Sequence, residues 1–143
     1  MREGAKPSFD YMGDGVARIL VIDDEPVVTQ TVRRYLERHG FEVAVASNGD
    51  EGIEVQKSDP ADLIVTDILM PGKEGFETIR VLREITPGVP IVAISGGGRN
   101  EPHTYLKFAQ RFGANRAFSK PLDMTVLVSS IRELLGEQQP DPV

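Results

Sequence analysis

The sequence predicts an open, parallel α/β sheet with helices on both faces. Five short apolar runs begin 20 to 28 residues apart, a spacing that fits one strand, one helix and two turns. The runs are continuous rather than alternating, which is typical of strands buried on both faces of a parallel sheet. Right-handed crossovers between successive strands would place the intervening helices on both faces.

The five predicted strands differ in strength. Four of them contain three or four consecutive apolar residues, whereas the last contains only two and would stand least well alone. In chain order the runs are Ile19–Ile22, Val43–Ala46, Leu63–Val65, Ile91–Ile94 and Ala117–Phe118.

The first three gaps between these runs have helical signals. In the first gap, apolar residues recur at helical spacing and Gly40 is the expected stop after the last turn. In the second gap, Ser47-Asn48 offers an N-cap, and Pro60 lies just beyond the end. The third predicted helix contains Phe76, Ile79, Leu82 and Ile85 and ends before Pro87.

Two further helices complete the predicted order βαβαβαβαβα. The fourth is expected from about Pro102 to Phe112, with Gly113 after it. Asp123 can cap the fifth, in which apolar residues again recur at helical spacing, from Leu127 to Leu135.

Length and composition indicate one globular domain. The chain has 143 residues and a net charge of −6, and it contains no cysteine, which excludes a disulfide scaffold and a thiolate metal site. The acidic balance argues against direct nucleic-acid binding, and no apolar run approaches the roughly 20 residues of a membrane span. We expect a cytoplasmic domain at 18–136, with tails at 1–17 and 137–143 that lie outside the pattern.

Polar residues follow four of the five predicted strands. In a parallel sheet the carboxyl ends of the strands share one edge, where ligands bind. Asp23 and Asp24 follow the first strand and Asp67 follows the third, and these carboxylates would repel one another unless a cation lay among them. Oxygen ligands favour Mg²⁺, which also binds phosphoryl groups. Ser95 follows the fourth strand, and Lys120 follows the fifth, from where it could complete a site for a dianion.

Four motifs resemble those of a response-regulator receiver domain, and the resemblance covers about residues 18–136. Each motif is modest alone, but all four in this order and spacing are highly specific. They are Val21-Ile22-Asp23-Asp24-Glu25-Pro26, Asp67-Ile68-Leu69-Met70-Pro71-Gly72-Lys73-Glu74-Gly75, Ala93-Ile94-Ser95-Gly96 and Ser119-Lys120-Pro121.

The resemblance implies a flavodoxin-like fold, a doubly wound five-stranded sheet of order 2-1-3-4-5 with five helices. It implies that the protein is a phosphoacceptor switch of a two-component phosphorelay, which catalyses only its own phosphorylation and dephosphorylation. The implied donor is a phosphohistidine on a histidine kinase or histidine phosphotransfer protein. The resemblance implies that Asp67 is the phosphoacceptor and that the Mg²⁺ ligands are Asp23, Asp24, Asp67 and the backbone carbonyl of Leu69. It implies that Ser95 and Lys120 bind the phosphoryl group. It also implies a cis peptide between Lys120 and Pro121.

Three positions depart from the family pattern. Ala117 stands where the family commonly has a Tyr or Phe that changes rotamer on activation, and strand alternation points Phe118 to the other face. Leu69 and Gly97 flank the path of the attacking water in the family, and neither side chain can orient a water molecule by hydrogen bonding. We therefore expect a switch without an aromatic flip and a comparatively long-lived acyl phosphate.

The fourth helix has surplus apolar residues. Tyr105, Phe108 and Phe112 recur at helical spacing. This stripe is either part of the core or a surface that binds a downstream protein, and the sequence leaves both open.

Three other functions share some of these features. A haloacid-dehalogenase-like phosphatase would need a second Asp two residues after the nucleophile, where Leu69 stands. A receiver that only binds partners would not need the retained acidic, Ser95 and Lys120 positions. A flavin carrier shares the fold, but the acidic first turn after the first strand is poorly suited to bind phosphate.

The two histidines, His39 and His103, are not expected to be catalytic.

Overall fold

The computed structural model describes residues 15–68, 75–95, 107 and 109–137. Strands and helices alternate along the chain, as predicted. The strands are β1 (Arg18–Ile22), β2 (Glu42–Ala46), β3 (Leu63–Asp67), β4 (Ile91–Ser95) and β5 (Arg116–Ser119). The helices are α1 (Pro26–Arg38), α2 (Gly49–Ser58), α3 (Gly75–Ile85), α4, described at 107 and 109–112, and α5 (Met124–Glu137).

The five strands form one parallel sheet in the order β2-β1-β3-β4-β5. This order confirms the predicted doubly wound, flavodoxin-like fold. Since the order reverses direction at β1, a crevice opens between the carboxyl ends of β1 and β3.

Alternation along the buried strands divides the core into two layers. Ile19 and Val21 pack on one face with side chains from α1 and α5, whereas Leu20 and Ile22 pack on the other with side chains from α2 and α3. Every residue of β3 and β4 is buried, which explains why each strand is a continuous apolar run until its polar end, Thr66-Asp67 in β3 and Ser95 in β4.

The predicted helix ends are confirmed where the structure describes them. Gly40 has φ +93°, the left-handed conformation that ends a helix. The Asn48 side chain accepts a hydrogen bond from the Glu51 amide at 2.8 Å and so caps α2. Asp123 caps α5 in the same way, since its carboxylate accepts hydrogen bonds from the amides of Thr125 and Val126.

Across the described part of the chain, no helix combines the length and the apolar character that crossing a membrane requires.

Candidate functional site at the carboxyl edge of the sheet

Register brings the predicted site residues to one edge. Ile22 pairs with Thr66, so Asp23, directly after β1, and Asp67, the last residue of β3, lie at the same level. Asp67 itself pairs with Ile94, which places Ser95 one residue further along β4. Ser95 pairs with Ser119, and its carbonyl accepts a hydrogen bond from the Lys120 amide at 3.0 Å. The edge is thus held by the backbone hydrogen bonds of the sheet.

Lys120 joins the two acidic strand ends. Its Nζ lies 2.9 Å from Asp23 Oδ2 and 3.1 Å from Asp67 Oδ2. Both carboxylates are almost completely buried, with side-chain exposures of 2% and 4%, whereas the Lys120 side chain is 17% exposed. A buried ion pair of this kind is strongly coupled, because each carboxylate would be left uncompensated if the ammonium were lost.

The charge state of Lys120 is fixed by these neighbours. Burial lowers the pKa of Lys120, but the hydrogen bond to Asp23 and the negative charge of Asp67 outweigh burial and raise the pKa above its ordinary value of 10.5. Lys120 is therefore a permanent cation at neutral pH.

Asp24 completes a group of three carboxylates. Ligand oxygens of Asp23, Asp24 and Asp67 all lie within 4.8 Å of one another. Both oxygens of Asp23 are already engaged, since Oδ1 accepts a hydrogen bond from the Glu25 amide at 2.9 Å and Oδ2 contacts Lys120. The Asp24 side chain faces solvent and forms no ion pair within the described ranges. A hard divalent cation fits this set of oxygen donors.

Ser95 places a buried hydroxyl group at this edge of the sheet. The residue is 1% exposed, and its Oγ has no hydrogen-bond partner among the described residues. A buried hydroxyl without a partner costs about 1–3 kcal/mol, so the Ser95 hydroxyl would gain from a hydrogen bond to a ligand at this edge.

Glu25 is a contact that the sequence did not predict. Its Oε1 lies 3.2 Å from Lys120 Nζ, so the ammonium contacts three carboxylates. The only signal was the run of three acids after the first strand, and that run does not show which of them reaches across to Lys120.

The end of β5 agrees with two expectations. Lys120–Pro121 is a cis peptide, as the resemblance implied. Ala117 packs with the layer under α2 and α3, and Phe118 packs with the layer under α1 and α5. The ring of Phe118 therefore lies on the opposite face from the position where the family places its switching aromatic.

Several predicted positions are not tested by the structure. Leu69, Gly97, Tyr105, Phe108 and His103 lie outside the described residues.

Phe112 is 44% exposed, and its ring stacks on Phe76 with centroids 5.2 Å apart. One side of the ring therefore belongs to the contact between α3 and α4, and a partner surface there stays a prediction. His39, the C-cap residue directly after α1, stacks on Tyr35 with ring centroids 4.5 Å apart.

The fold and this edge define a class of protein: a doubly wound α/β domain with an acidic crevice bridged by a buried lysine. The family model of the response regulator receiver domain matches residues 19–132, and the chain belongs to this family. It is therefore a receiver domain of two-component signalling. Receiver domains are signalling switches rather than classical enzymes, and they interact with histidine kinases or phosphotransfer proteins.

Relatives of known sequence agree with this assignment. Protein PilH of Pseudomonas aeruginosa is 31% identical over 123 residues, which cover 85% of this chain and 99% of PilH. Response regulator MprA of Mycolicibacterium vanbaalenii is 32% identical over 124 residues, which cover 87% of this chain but only 52% of MprA. The chain thus spans nearly all of one relative and about half of the other.

A solved structure shows the same fold. The CheY-like response regulator receiver domain protein from Methanospirillum hungatei superimposes with a TM-score of 0.79 and 28% identity, over 87% of this chain and 97% of that chain.

Proposed function

We propose that this receiver is a phosphoacceptor switch in which Asp67 accepts a phosphoryl group from a partner's phosphohistidine, in a reaction that depends on Mg²⁺. The observation that carries the proposal is the contact of Lys120 Nζ with both Asp23 and Asp67 at the edge where three carboxylates converge. The changed charge at this edge would then alter which partner the protein binds.

The chemistry is a displacement at phosphorus. One carboxylate oxygen of Asp67 forms the new P–O bond while the P–N bond to the donor imidazole breaks, and the electron pair of that bond stays on the imidazole nitrogen, which takes up a proton. The product on this chain is an acyl phosphate, for which a carboxylate is a competent acceptor. Catalysis of such transfer depends chiefly on positioning and charge neutralisation.

The neighbouring residues have complementary tasks. Lys120 exchanges its contact with the Asp67 carboxylate for one with a phosphoryl oxygen, which offsets the added negative charge. The Ser95 hydroxyl, which has no partner among the described residues, donates a hydrogen bond to another phosphoryl oxygen.

Asp24 would bind Mg²⁺ directly, Asp23 would contact it directly or through water, and Asp67 would complete the set of carboxylates. The carbonyl of Leu69 stays a predicted further ligand. The chemistry that the ion supplies when bound is charge neutralisation on the phosphoryl oxygens. The family's typical use of Mg²⁺ and the donor chemistry of this cluster support the assignment.

Labelling with a small phosphodonor tests the proposal. The wild-type protein, incubated with phosphoramidate and Mg²⁺, is expected to gain the mass of one phosphoryl group, and chelation of Mg²⁺ is expected to slow the gain. Asp67→Asn is expected to gain none, because the amide is a poor nucleophile. Asp50→Asn, which removes an exposed acid from the first turn of α2, is the matched control and is expected to label like the wild type.

Labelling of Asp67→Asn at the wild-type rate would show that another residue is the acceptor. A rate unaffected by removal of Mg²⁺ would show that the acidic cluster works without the ion.

A further inference from the structure

The hydrogen-bond donors of the Lys120 ammonium group are all in use. A lysine ammonium has three N–H groups. Lys120 Nζ contacts one carboxylate oxygen each of Asp23 at 2.9 Å, Asp67 at 3.1 Å and Glu25 at 3.2 Å. A phosphoryl oxygen that approaches Lys120 must therefore displace one of these three carboxylates.

Glu25 is the carboxylate that leaves most easily. Its side chain is 61% exposed, whereas those of Asp23 and Asp67 are 2% and 4% exposed. A buried carboxylate that loses the ammonium is left without compensation, but an exposed one is solvated at once. An incoming phosphoryl group therefore competes first with Glu25 for Lys120.

The backbone keeps Glu25 beside the site. Its carbonyl accepts hydrogen bonds from the amides of Val28 and Thr29 at 3.0 and 3.1 Å, and its amide donates to Asp23 Oδ1 at 2.9 Å. Glu25 is the N-cap residue of α1, but its side chain makes no capping hydrogen bond and reaches Lys120 instead. After displacement from Lys120, the carboxylate therefore stays near the phosphoryl group.

A carboxylate in this position repels phosphodonors in proportion to their negative charge. Acetyl phosphate, an acyl phosphate, is a dianion at neutral pH. Phosphoramidate, an N-phosphoryl compound, is a monoanion because its nitrogen carries an additional proton. Glu25 therefore opposes the approach of the acyl phosphate more strongly than that of the N-phosphoryl compound.

We infer that Glu25 is a specificity-determining residue that disfavours acyl phosphates as phosphodonors and so favours N-phosphoryl donors, the class to which phosphohistidine belongs. The inference rests on the proposed function, because it concerns which donor reaches Asp67. Glu25 acts through its charge and its competition for Lys120, and it forms no bond to the phosphoryl group.

The two donor classes differ in the bond that breaks. In both reactions an oxygen of Asp67 forms the new P–O bond. Acetyl phosphate then loses acetate, which keeps the electron pair of the broken P–O bond. Phosphoramidate loses ammonia, whose already protonated nitrogen keeps the electron pair of the broken P–N bond.

The test is the ratio of two labelling rates. Wild type and Glu25→Gln are labelled with acetyl phosphate and with phosphoramidate at saturating Mg²⁺, and the gain of mass is followed. A change in stability or in Mg²⁺ binding would affect both rates alike, so it cancels in the ratio. The matched control is Glu54→Gln, which removes the same charge from an exposed residue of α2 that pairs with Lys57.

We expect Glu25→Gln to raise the ratio of the acetyl phosphate rate to the phosphoramidate rate about threefold at low salt, the scale of one exposed charge interaction. The rise is expected to shrink at high salt, because salt screens exposed charges. Glu54→Gln is expected to keep the wild-type ratio. Glu25→Gln is also expected to bind beryllofluoride about threefold more tightly by fluorine NMR, a measurement that involves no transfer step.

An unchanged ratio in Glu25→Gln would overturn the inference, as would an equal rise in Glu54→Gln. Failure of both donors to label the wild type would instead count against the proposed function, so the two failures are distinguishable.

Discussion

Asp24 differs from the other two carboxylates of the cluster because its side chain is exposed and makes no ion pair in the described part of the chain. If Mg²⁺ binds the cluster, the carboxylate oxygens of Asp24 are therefore the most available to coordinate the ion. We predict that Asp24→Asn weakens Mg²⁺ binding about 10–100-fold, at least as much as the loss of an outer-shell partner. Isothermal titration calorimetry measures the affinity, with Asp50→Asn as control. Unchanged affinity in Asp24→Asn would place the ion elsewhere.

Substitution of Ser95 is expected to affect phosphoryl binding without lowering the stability of the fold. Because its buried hydroxyl has no partner among the described residues, Ser95→Ala is expected to leave the free energy of unfolding unchanged or raise it by up to about 1 kcal/mol. The same variant is expected to bind beryllofluoride, a phosphoryl mimic, about tenfold more weakly, since one donor is lost.

Urea denaturation and fluorine NMR measure these two effects. Ser119→Ala, the exposed partner of Ser95 in the β4–β5 register, is the control and is expected to change neither quantity. A large loss of stability with unchanged beryllofluoride binding would mean that the Ser95 hydroxyl is structural.

At the level of elements, the start of α2 depends on a reciprocal cap. Glu51 accepts hydrogen bonds from the amide and the hydroxyl of Ser47 at 2.6 and 2.7 Å, while its own amide donates to Asn48. The hydrogen bond from the Ser47 amide, followed by that from the Ser47 hydroxyl, lowers the pKa of Glu51 below 4.5. The charged form is therefore the one that stabilises the fold.

This cap predicts a pH-dependent stability. Since the pKa of Glu51 is lower in the folded than in the unfolded state, its contribution is present above pH 4.5 and is lost as the pH falls through the folded value. We predict that Glu51→Ala lowers the free energy of unfolding by about 1 kcal/mol at pH 7. The difference from the wild type should shrink below pH 4.5.

Glu54→Ala makes the same side-chain change one turn later in α2 and controls for helix propensity. A difference between wild type and Glu51→Ala that is constant across the acidic range would contradict the capping role.

The start of α3 is set by a close backbone approach. Gly75, the first residue of α3, lies so near Ile68 that a Cβ atom would overlap the Ile68 backbone. We predict that Gly75→Ala lowers the free energy of unfolding by about 1–3 kcal/mol through this overlap. Gly136→Ala in α5, where a Cβ would meet open space, is expected to be stabilising by about 0.5–1 kcal/mol. Urea denaturation checks both, and equal effects would show that the approach is easily relieved.

For the whole molecule, the sequence predicted the architecture because its signals are local. The continuous apolar runs of β1, β3 and β4 follow directly from burial on both faces. The convergence of Asp23 and Asp67 follows from parallel strands that end at one edge. These features need only the order of the elements and the handedness of the crossovers.

Long side chains that join distant elements were not predictable in this way. Arg83 of α3 donates hydrogen bonds to the carbonyl of Gly113 at 2.6 Å and to the Asn115 side chain at 3.0 Å. This contact fixes the turn before β5, the strand with the weakest apolar signal. No periodic pattern marks such a contact, because it depends on which rotamer reaches across the completed fold.

The position of the phosphoryl group can be measured directly. Reduction with borohydride converts an aspartyl phosphate to homoserine, so the protein is labelled with phosphoramidate and Mg²⁺, reduced, digested and mapped by mass spectrometry. We predict homoserine at position 67 and at no other aspartate. Homoserine at Asp23 or Asp24, or a phosphoryl group that resists reduction because it sits on a serine, would contradict it.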